Sequence, residues 1–199
     1  MTKKQKFSKK ILKIVENLKL AAKRLEQYTE SVRMINQMED IELHQQNICV
    51  SDLISGMEDD FKIMVQNHNI QFSINHLCSN EEIWVDCSVL YRVLENIFSN
   101  ALRYAKENVT MECLLLDENL SVIIKDDGIG FPEEMLHRWG KSLFAKSNEN
   151  RHLGMGLAIS RILCEKHGGS LEIYNDSGHH AVVKIMLQVT GSESVIKEL

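Results

Sequence analysis

Apolar positions set the first division of the chain. Ile11, Ile14, Leu18, Ala21, Leu25, Tyr28, Val32 and Ile35 recur at alternating spacings of three and four. That is a heptad seam, and it predicts a helix from about Ser8 to about His44 that buries one stripe against other helices in a bundle or coiled coil. After Asn47 the pattern changes. Ser51 and Asp52 open an amphipathic helix to about Asn67, followed by two strand-like runs, Ile70–Asn75 and Glu82–Val85. A helix is predicted from about Ser88 to Ala105, with Leu90, Leu94, Ile97, Phe98, Ala101, Leu102 and Ala105 on one face. Val109–Leu116 and Leu120–Lys125 read as a hairpin around Asp117-Glu118-Asn119. From Gly128 to His152 the chain is polar, lacks a clear period and holds the only proline, Pro132. Unstructured connections of that length usually carry function. A helix from about Gly154 to His167 ends at Gly168-Gly169, and a last hairpin pairs Ser170–Asn175 with Ala181–Val189. One helix and then helices mixed with hairpin-connected strands argue for an α+β fold, a sheet covered on one face by helices. They argue against a doubly wound parallel sheet.

Composition narrows this picture little. Hydrophobic residues make up 44% and charged residues 26% of the 199, the balance of a soluble globular protein. The net charge of −5 speaks against nucleic acid as a partner of the whole chain. Lys3, Lys4, Lys6, Lys9, Lys10 and Lys13 all precede Glu16. They read as a solvated helix start, with an electrostatic arm for nucleic acid or anionic lipid as the alternative. Cys49, Cys78, Cys87, Cys113 and Cys164 form no CxxC pair, so a reducing, cytoplasmic setting without disulfides or structural zinc is expected. No apolar run approaches the roughly 20 residues that span a bilayer, and no secretory signal is present. A membrane anchor of any parent protein is therefore expected to lie in other segments.

Three local patterns bear on chemistry. On the helix Ser88–Ala105, Asn96, Asn100 and Arg103 fall on roughly the face opposite the apolar one, with Tyr104 at its border. Asparagine competes for backbone partners and is a mediocre helix former. Two of them four residues apart read either as a solvated stripe or as amide oxygens offered to a magnesium ion that also holds phosphate. Asp126-Asp127-Gly128-Ile129-Gly130 closes a strand and opens the long loop. A carboxylate there can accept from an adenine amino group, and the glycines let backbone approach a ligand. An ordinary glycine turn is the plain alternative. Gly154-Met155-Gly156-Leu157 opens a helix, where free N–H groups favour phosphate. It is neither a Walker loop nor a Rossmann fingerprint.

Taken in order, these patterns resemble the Bergerat ATP-binding fold of the GHKL superfamily, which holds gyrases, heat-shock chaperones, histidine kinases and mismatch-repair ATPases. The resemblance is nearest to bacterial sensor histidine kinases. Glu95–Ala105 resembles their asparagine box, Asp126–Phe131 their first glycine box, Gly154–Ser160 their second, and Leu143-Phe144 the phenylalanine box of their lid. Cys164–Gly169 resembles the end of that domain.

The resemblance implies a two-layer α/β sandwich over residues 48–190, preceded by a helix (1–47) similar to the second helix of the dimerisation and phosphoacceptor hairpin, and followed by a tail (191–199). It implies that Asn100 coordinates Mg2+ with Asn96 beside it, that Arg103 touches phosphate, and that Tyr104 packs by the adenine. It implies that Asp126 binds the adenine amino group, that Gly128 and Gly130 border the base, and that Gly154, Met155, Gly156 and Leu157 cradle the triphosphate. Arg151 and Lys146 are placed to reach phosphate from the lid. The implied activity is transfer of the ATP γ-phosphate to a histidine outside this chain, for relay to an aspartate of a response regulator. The implied assembly is a homodimer, with the parent anchored in the cell membrane. None of the eight histidines has the acidic neighbour of that family's acceptor; His44 precedes Gln45, and His68 and His167 read as surface or helix-end residues. Two rival readings are a serine kinase of the anti-sigma-factor type and a nucleotide-sensing module without catalysis.

Overall fold

The structure, a computed structural model, describes residues 42–66, 68–77, 80–139 and 151–191, together with 13–15, 18–19, 21–22 and 29 ahead of them. The chain divides into two units, Met1–Ile41 and Glu42–Leu199. In the first, the described residues are helical and exposed, Ile14 and Leu18 of the heptad seam among them. Ala21 is the third described position of that seam; its other positions lie outside the described residues. The expected end of the first helix near His44 is corrected, because Glu42–Gln45 are not helical.

The second unit runs β1 (Gln46–Cys49), α1 (Val50–Val65), β2 (Gln71–Leu77), β3 (Glu82–Val85), α2 (Cys87–Tyr104), β4 (Asn108–Leu116), β5 (Asn119–Asp126), α3 (Glu133–Arg138), α4 (Arg151–Lys166), β6 (Ser170–Asn175), β7 (Ala181–Gln188) and β8 (Thr190–Gly191). Five strands form the main sheet in the order β2-β4-β5-β7-β6. Only β2 and β4 are parallel; the other pairs are antiparallel. A small second sheet, β1-β3-β8, is antiparallel. The expected α+β sandwich is what forms.

Alternation in the strands builds the core. Val109, Met111 and Cys113 of β4, Leu120, Val122 and Ile124 of β5, and Ile185 and Leu187 of β7 are buried on one face, as a period of two dictates. Helix α2 covers them with Leu90, Leu94, Ile97, Phe98, Ala101 and Leu102, and α4 adds Leu157, Leu163 and Cys164. Each large apolar side chain buried this way contributes about 1.5–3 kcal/mol. Phe61 of α1 stacks on Phe98 at 4.2 Å between ring centroids, and Phe72 of β2 meets both rings edge-on. That trio ties α1 and β2 to the helix carrying the two asparagines.

Caps fix the ends of the two long site helices. Asp86 N-caps α2 by accepting from the Val89 N–H at 3.0 Å. At the other end of α4, Gly168 takes a left-handed φ of +72°. The Gly169 N–H reaches the Cys164 carbonyl and the Gly168 N–H that of Glu165, a Schellman motif.

His167 corrects its sequence reading. It ends a helix as expected, but it is 3% exposed, not a surface residue. Its Nε2 accepts the Asp86 N–H at 3.0 Å, and Asp86 also accepts from the backbone of His44. Three other elements were not anticipated. Strands β1 and β8 span four and two residues and α3 spans six, all too short for a period to register. Helix α4 starts at Arg151, three residues before the expected Gly154.

Candidate functional site

The ends of α2, β5, β7 and α4, with the loop after β5, enclose an open cleft. Its walls are chiefly apolar: Ile97 and Ala101 from α2, Ile124 from β5, Leu157 from α4, and Ala181 and Val183 from β7. Ile129, Gly130, Phe131 and Pro132 close one side. The polar side chains among its lining residues are Asn100, Tyr104 and Asp126. A flat, largely apolar ligand with a polar edge fits such a cleft.

Asp126 ends β5 and is 6% exposed. Burial pushes its carboxyl up to about 6, against the Gly128 N–H, which lowers it by donating to Oδ1 at 2.8 Å. Neighbouring Asp127 raises it further, and His180 opposes. A Cβ on Gly128 would run into the Tyr104 carbonyl and sit 2.6 Å from Asp126 Oδ1, so only glycine permits this arrangement. Asp127, one residue on, does something different. Burial would raise it, but the N–H groups of Glu107, Asn108 and Lys106 and the Asn108 side-chain amide all donate to it. They hold its carboxylate below the ordinary range and fix the turn from α2 into β4. Of the two adjacent acids, Asp127 is consumed by backbone and Asp126 faces the cleft.

The two asparagines also separate. Asn100 lines the cleft, and its Nδ2 is buried without a hydrogen-bond partner. A buried amide end left unpaired costs about 1–3 kcal/mol, which makes it a place for a ligand atom. Asn96 is not a lining residue. Its Nδ2 donates to the buried Ser160 of α4 at 2.8 Å, and its side chain abuts Gly156. Ser160 was not singled out by sequence reasoning; its place one turn after Gly156 on a helix that packs against α2 was the available signal. A Cβ on Gly156 would collide with Asn96 Oδ1. Gly156→Ala is therefore expected to lower stability by about 1–3 kcal/mol, measured by denaturant titration, through overpacking between α2 and α4. An unchanged midpoint would show that the Asn96 side chain swings aside without cost.

Of the other candidate residues, Tyr104, Gly130 and Leu157 lie in the cleft wall. Arg103 is exposed and outside the lining; Gly128 is buried, also outside the lining, and acts through Asp126. Arg151, Gly154 and Met155 belong to the α4 backbone. With the helix starting at Arg151, the amides of Gly154 onward fall inside it, beyond its free N–H groups. Lys146 and Leu143-Phe144 lie outside the described residues. Glu95 is exposed, off the Asn96–Asn100 stripe.

Residues 85–191 match the family of histidine kinase-, DNA gyrase B- and HSP90-like ATPases. Over 149 residues the chain is 28% identical to the sensor histidine kinase RppB of Synechocystis, covering 71% of this chain and 32% of that protein. Over 176 residues it is 28% identical to the sensor histidine kinase SpaK of Bacillus subtilis, covering 84% and 38%. The chain thus spans about a third of these relatives. Among solved structures, full-length ShkA in complex with AMPPNP superposes with a TM-score of 0.72 at 17% identity, over 90% of this chain and 39% of that one. The catalytic domain of the histidine kinase ThkA gives 0.64 at 20% identity, over 75% and 100%. The histidine kinase AdeS of Acinetobacter baumannii gives 0.64 at 14% identity, over 87% and 82%. At these identities the solved structures establish the fold.

Proposed function

This chain belongs to the family of histidine kinase-, DNA gyrase B- and HSP90-like ATPases, and on that premise we propose that it is the ATP-binding catalytic portion of a histidine kinase. The observation that carries this is one cleft lined by both a buried carboxylate, Asp126, and an unpaired buried amide, Asn100. Asp126 takes the adenine amino group, Tyr104 and Ile97 pack against the base, and Asn100 faces the phosphates. Asn96 acts one step back, tied to Ser160, by holding α4 against α2. Arg103 and Arg151, at the start of α4, serve the phosphate side in this reading, whereas the amides of Gly154–Leu157 are taken up inside the helix. Residues 48–190 form the ATP-binding domain in this reading, and 1–47 part of a dimerisation and phosphoacceptor hairpin.

In this reading magnesium would be held by the amide oxygen of Asn100, not by its unpaired nitrogen, together with water and phosphate oxygens. Among the described residues no cluster of three His, Cys, Asp or Glu could cage a metal. A hard ion that keeps water and shares phosphate oxygens needs little more than the Asn100 amide oxygen. When bound, it supplies neutralisation of the charge on the phosphates. The protein's own part is positioning: the base held by Asp126 sets where the γ-phosphate lies relative to the acceptor. A neutral imidazole nitrogen of a histidine outside this chain attacks the γ-phosphorus, the bond to the β-phosphate oxygen breaks, and ADP leaves. Relay to a response regulator and assembly as a homodimer follow from the same reading, as does cytoplasmic placement of this domain. Among the described residues no helix is long and apolar enough to cross a membrane. Serine kinase and catalytically silent sensor are not favoured, because the relatives that match are sensor histidine kinases.

The test is calorimetry with an ATP analogue and Mg2+, followed by phosphoryl transfer to an added helical-hairpin domain bearing the acceptor histidine. Absence of nucleotide binding by the chain would refute the proposal. A pH dependence is also expected. The carboxylate form of Asp126 is the acceptor, and its carboxyl titrates at about 6. Affinity should be level above pH 7 and about tenfold weaker at pH 5, where roughly a tenth of the group is ionised. Adenosine is the ligand to titrate, so that no phosphate ionises in the range. A flat profile would remove Asp126 from the base site.

A further inference from the structure

The proposed cleft has one wall that no regular element supports. Ile129, Gly130, Phe131 and Pro132 follow β5 as irregular chain, yet Phe131 is only 8% exposed. Buried backbone N–H and C=O groups need partners, and irregular chain supplies none of its own. Both partners of Phe131 come from a single side chain. Asn175, the last residue of β6, accepts the Phe131 N–H on Oδ1 at 2.7 Å and donates from Nδ2 to the Phe131 carbonyl at 2.9 Å. The side-chain amide does for Phe131 what a neighbouring strand does for a strand residue.

The fit continues at Gly130, which takes a φ of +74°. A Cβ there would strike the His179 carbonyl and stand 2.8 Å from Asn175 Oδ1. The segment is thus laid directly on the β6–β7 turn, and that turn is itself fixed. Asp176 accepts the Gly178 and His180 N–H groups, each at 2.9 Å, and pairs with Lys125 of β5. Its backbone exchanges bonds with His180 and His179.

We propose that Asn175 is a positioning residue of the nucleotide site: it sets the wall Gly130–Pro132 at its distance from Asp126, and so decides how well an adenine ring is held between them. It is not itself a lining residue and acts only through Phe131. The proposal rests on the ATP-binding reading above. It predicts an effect confined to the base, because Asn100 and the start of α4 lie on other elements.

The test compares the parent with Asn175→Leu, similar in shape but without donor or acceptor, using adenosine and magnesium tripolyphosphate as separate probes. Adenosine affinity should fall about tenfold, the loss expected when two hydrogen bonds that shape the wall are removed. Tripolyphosphate affinity should stay within about twofold. Amide exchange at Phe131, read by NMR without ligand, should quicken in the variant. Where Asn175→Leu does not stay folded, Asn175→Asp serves, since it keeps the acceptor for the Phe131 N–H and loses the donor. Equal adenosine affinity in parent and variant would overturn the positioning role alone, as would equal weakening of both probes, the mark of a merely structural residue. Failure of the parent to bind adenosine or ATP would overturn the ATP-binding reading, and this proposal with it.

Discussion

Asp126→Asn is expected to lose nucleotide binding while making the free protein more stable. The two effects have one origin. In the free chain the carboxyl is buried and titrates at about 6 instead of the 3.8 of an open carboxyl. Its protonated form is favoured by the fold, so this contribution is fully present below pH 3.8 and lost as pH rises through about 6. Above that, the ionised group lowers stability by about 2–3 kcal/mol, the energy equivalent of the difference between the two values. An amide carries no such charge, and its oxygen can still accept the Gly128 N–H. The melting temperature should therefore rise by several degrees at pH 7.5, at about 2–4 °C per kcal/mol for a chain of this size. Near pH 4 the gain should vanish. Binding moves the other way, because the amide turns an N–H donor toward the adenine amino group, itself a donor. Losing a hydrogen bond to a charged acceptor and leaving two donors opposed costs about 3 kcal/mol, or roughly a hundredfold in affinity. A variant that binds ATP like the parent, or one equally stabilised at pH 4 and pH 7.5, would refute the assignment.

Asn100→Ala should separate function from stability in a different way. The Asn100 Nδ2 is buried and unpaired. Removing it relieves an uncompensated polar group, so the melting temperature should hold or rise slightly. Transfer of the γ-phosphate to an added acceptor domain should fall by about a hundredfold or more, the scale seen when one group aimed at transition-state charge is deleted. Asn96→Ala should invert the pattern. It loses the bond to Ser160 and about 1 kcal/mol of stability, with a smaller effect on transfer. Comparable losses of stability in both variants would make Asn100 a structural amide. In the same assay, the chain without an acceptor domain is expected to release little phosphate and to carry no acid-labile label. The position four before Asn100 is an amide that cannot take a proton from water, and the neighbouring Glu95 is exposed.

How far the residues alone specified this molecule can be judged element by element. Local pattern was enough for α2, for both long hairpins and for the glycine stop of α4, because each is written in contiguous residues with a strong period or a fixed turn chemistry. For the site it was not enough: a helix face and a strand end left a solvated stripe and a plain glycine turn open, and only the resemblance to histidine kinases singled out Asn100 and Asp126. Weak periods defeated it at β1, β8 and α3, and it placed the start of α4 too late because a glycine was read as a boundary where the helix runs through it.

Tertiary structure shows what each of two like residues meets. Asp126 and Asp127 are adjacent and chemically identical, and so are Asn96 and Asn100 on one helical stripe. Asp127 meets three backbone N–H groups from the turn after α2 and the first residue of β4, while Asp126 meets an apolar cleft. Asn96 meets Ser160, sixty-four residues later, and Asn100 meets none. His167 finds Asp86 eighty-one residues away, and Asn175 finds Phe131 across forty-four. A sequence pattern reports the angle at which a side chain leaves its own helix or strand. What waits at the end of that side chain is set by the packing of distant segments, and a residue's chemistry depends on that neighbour.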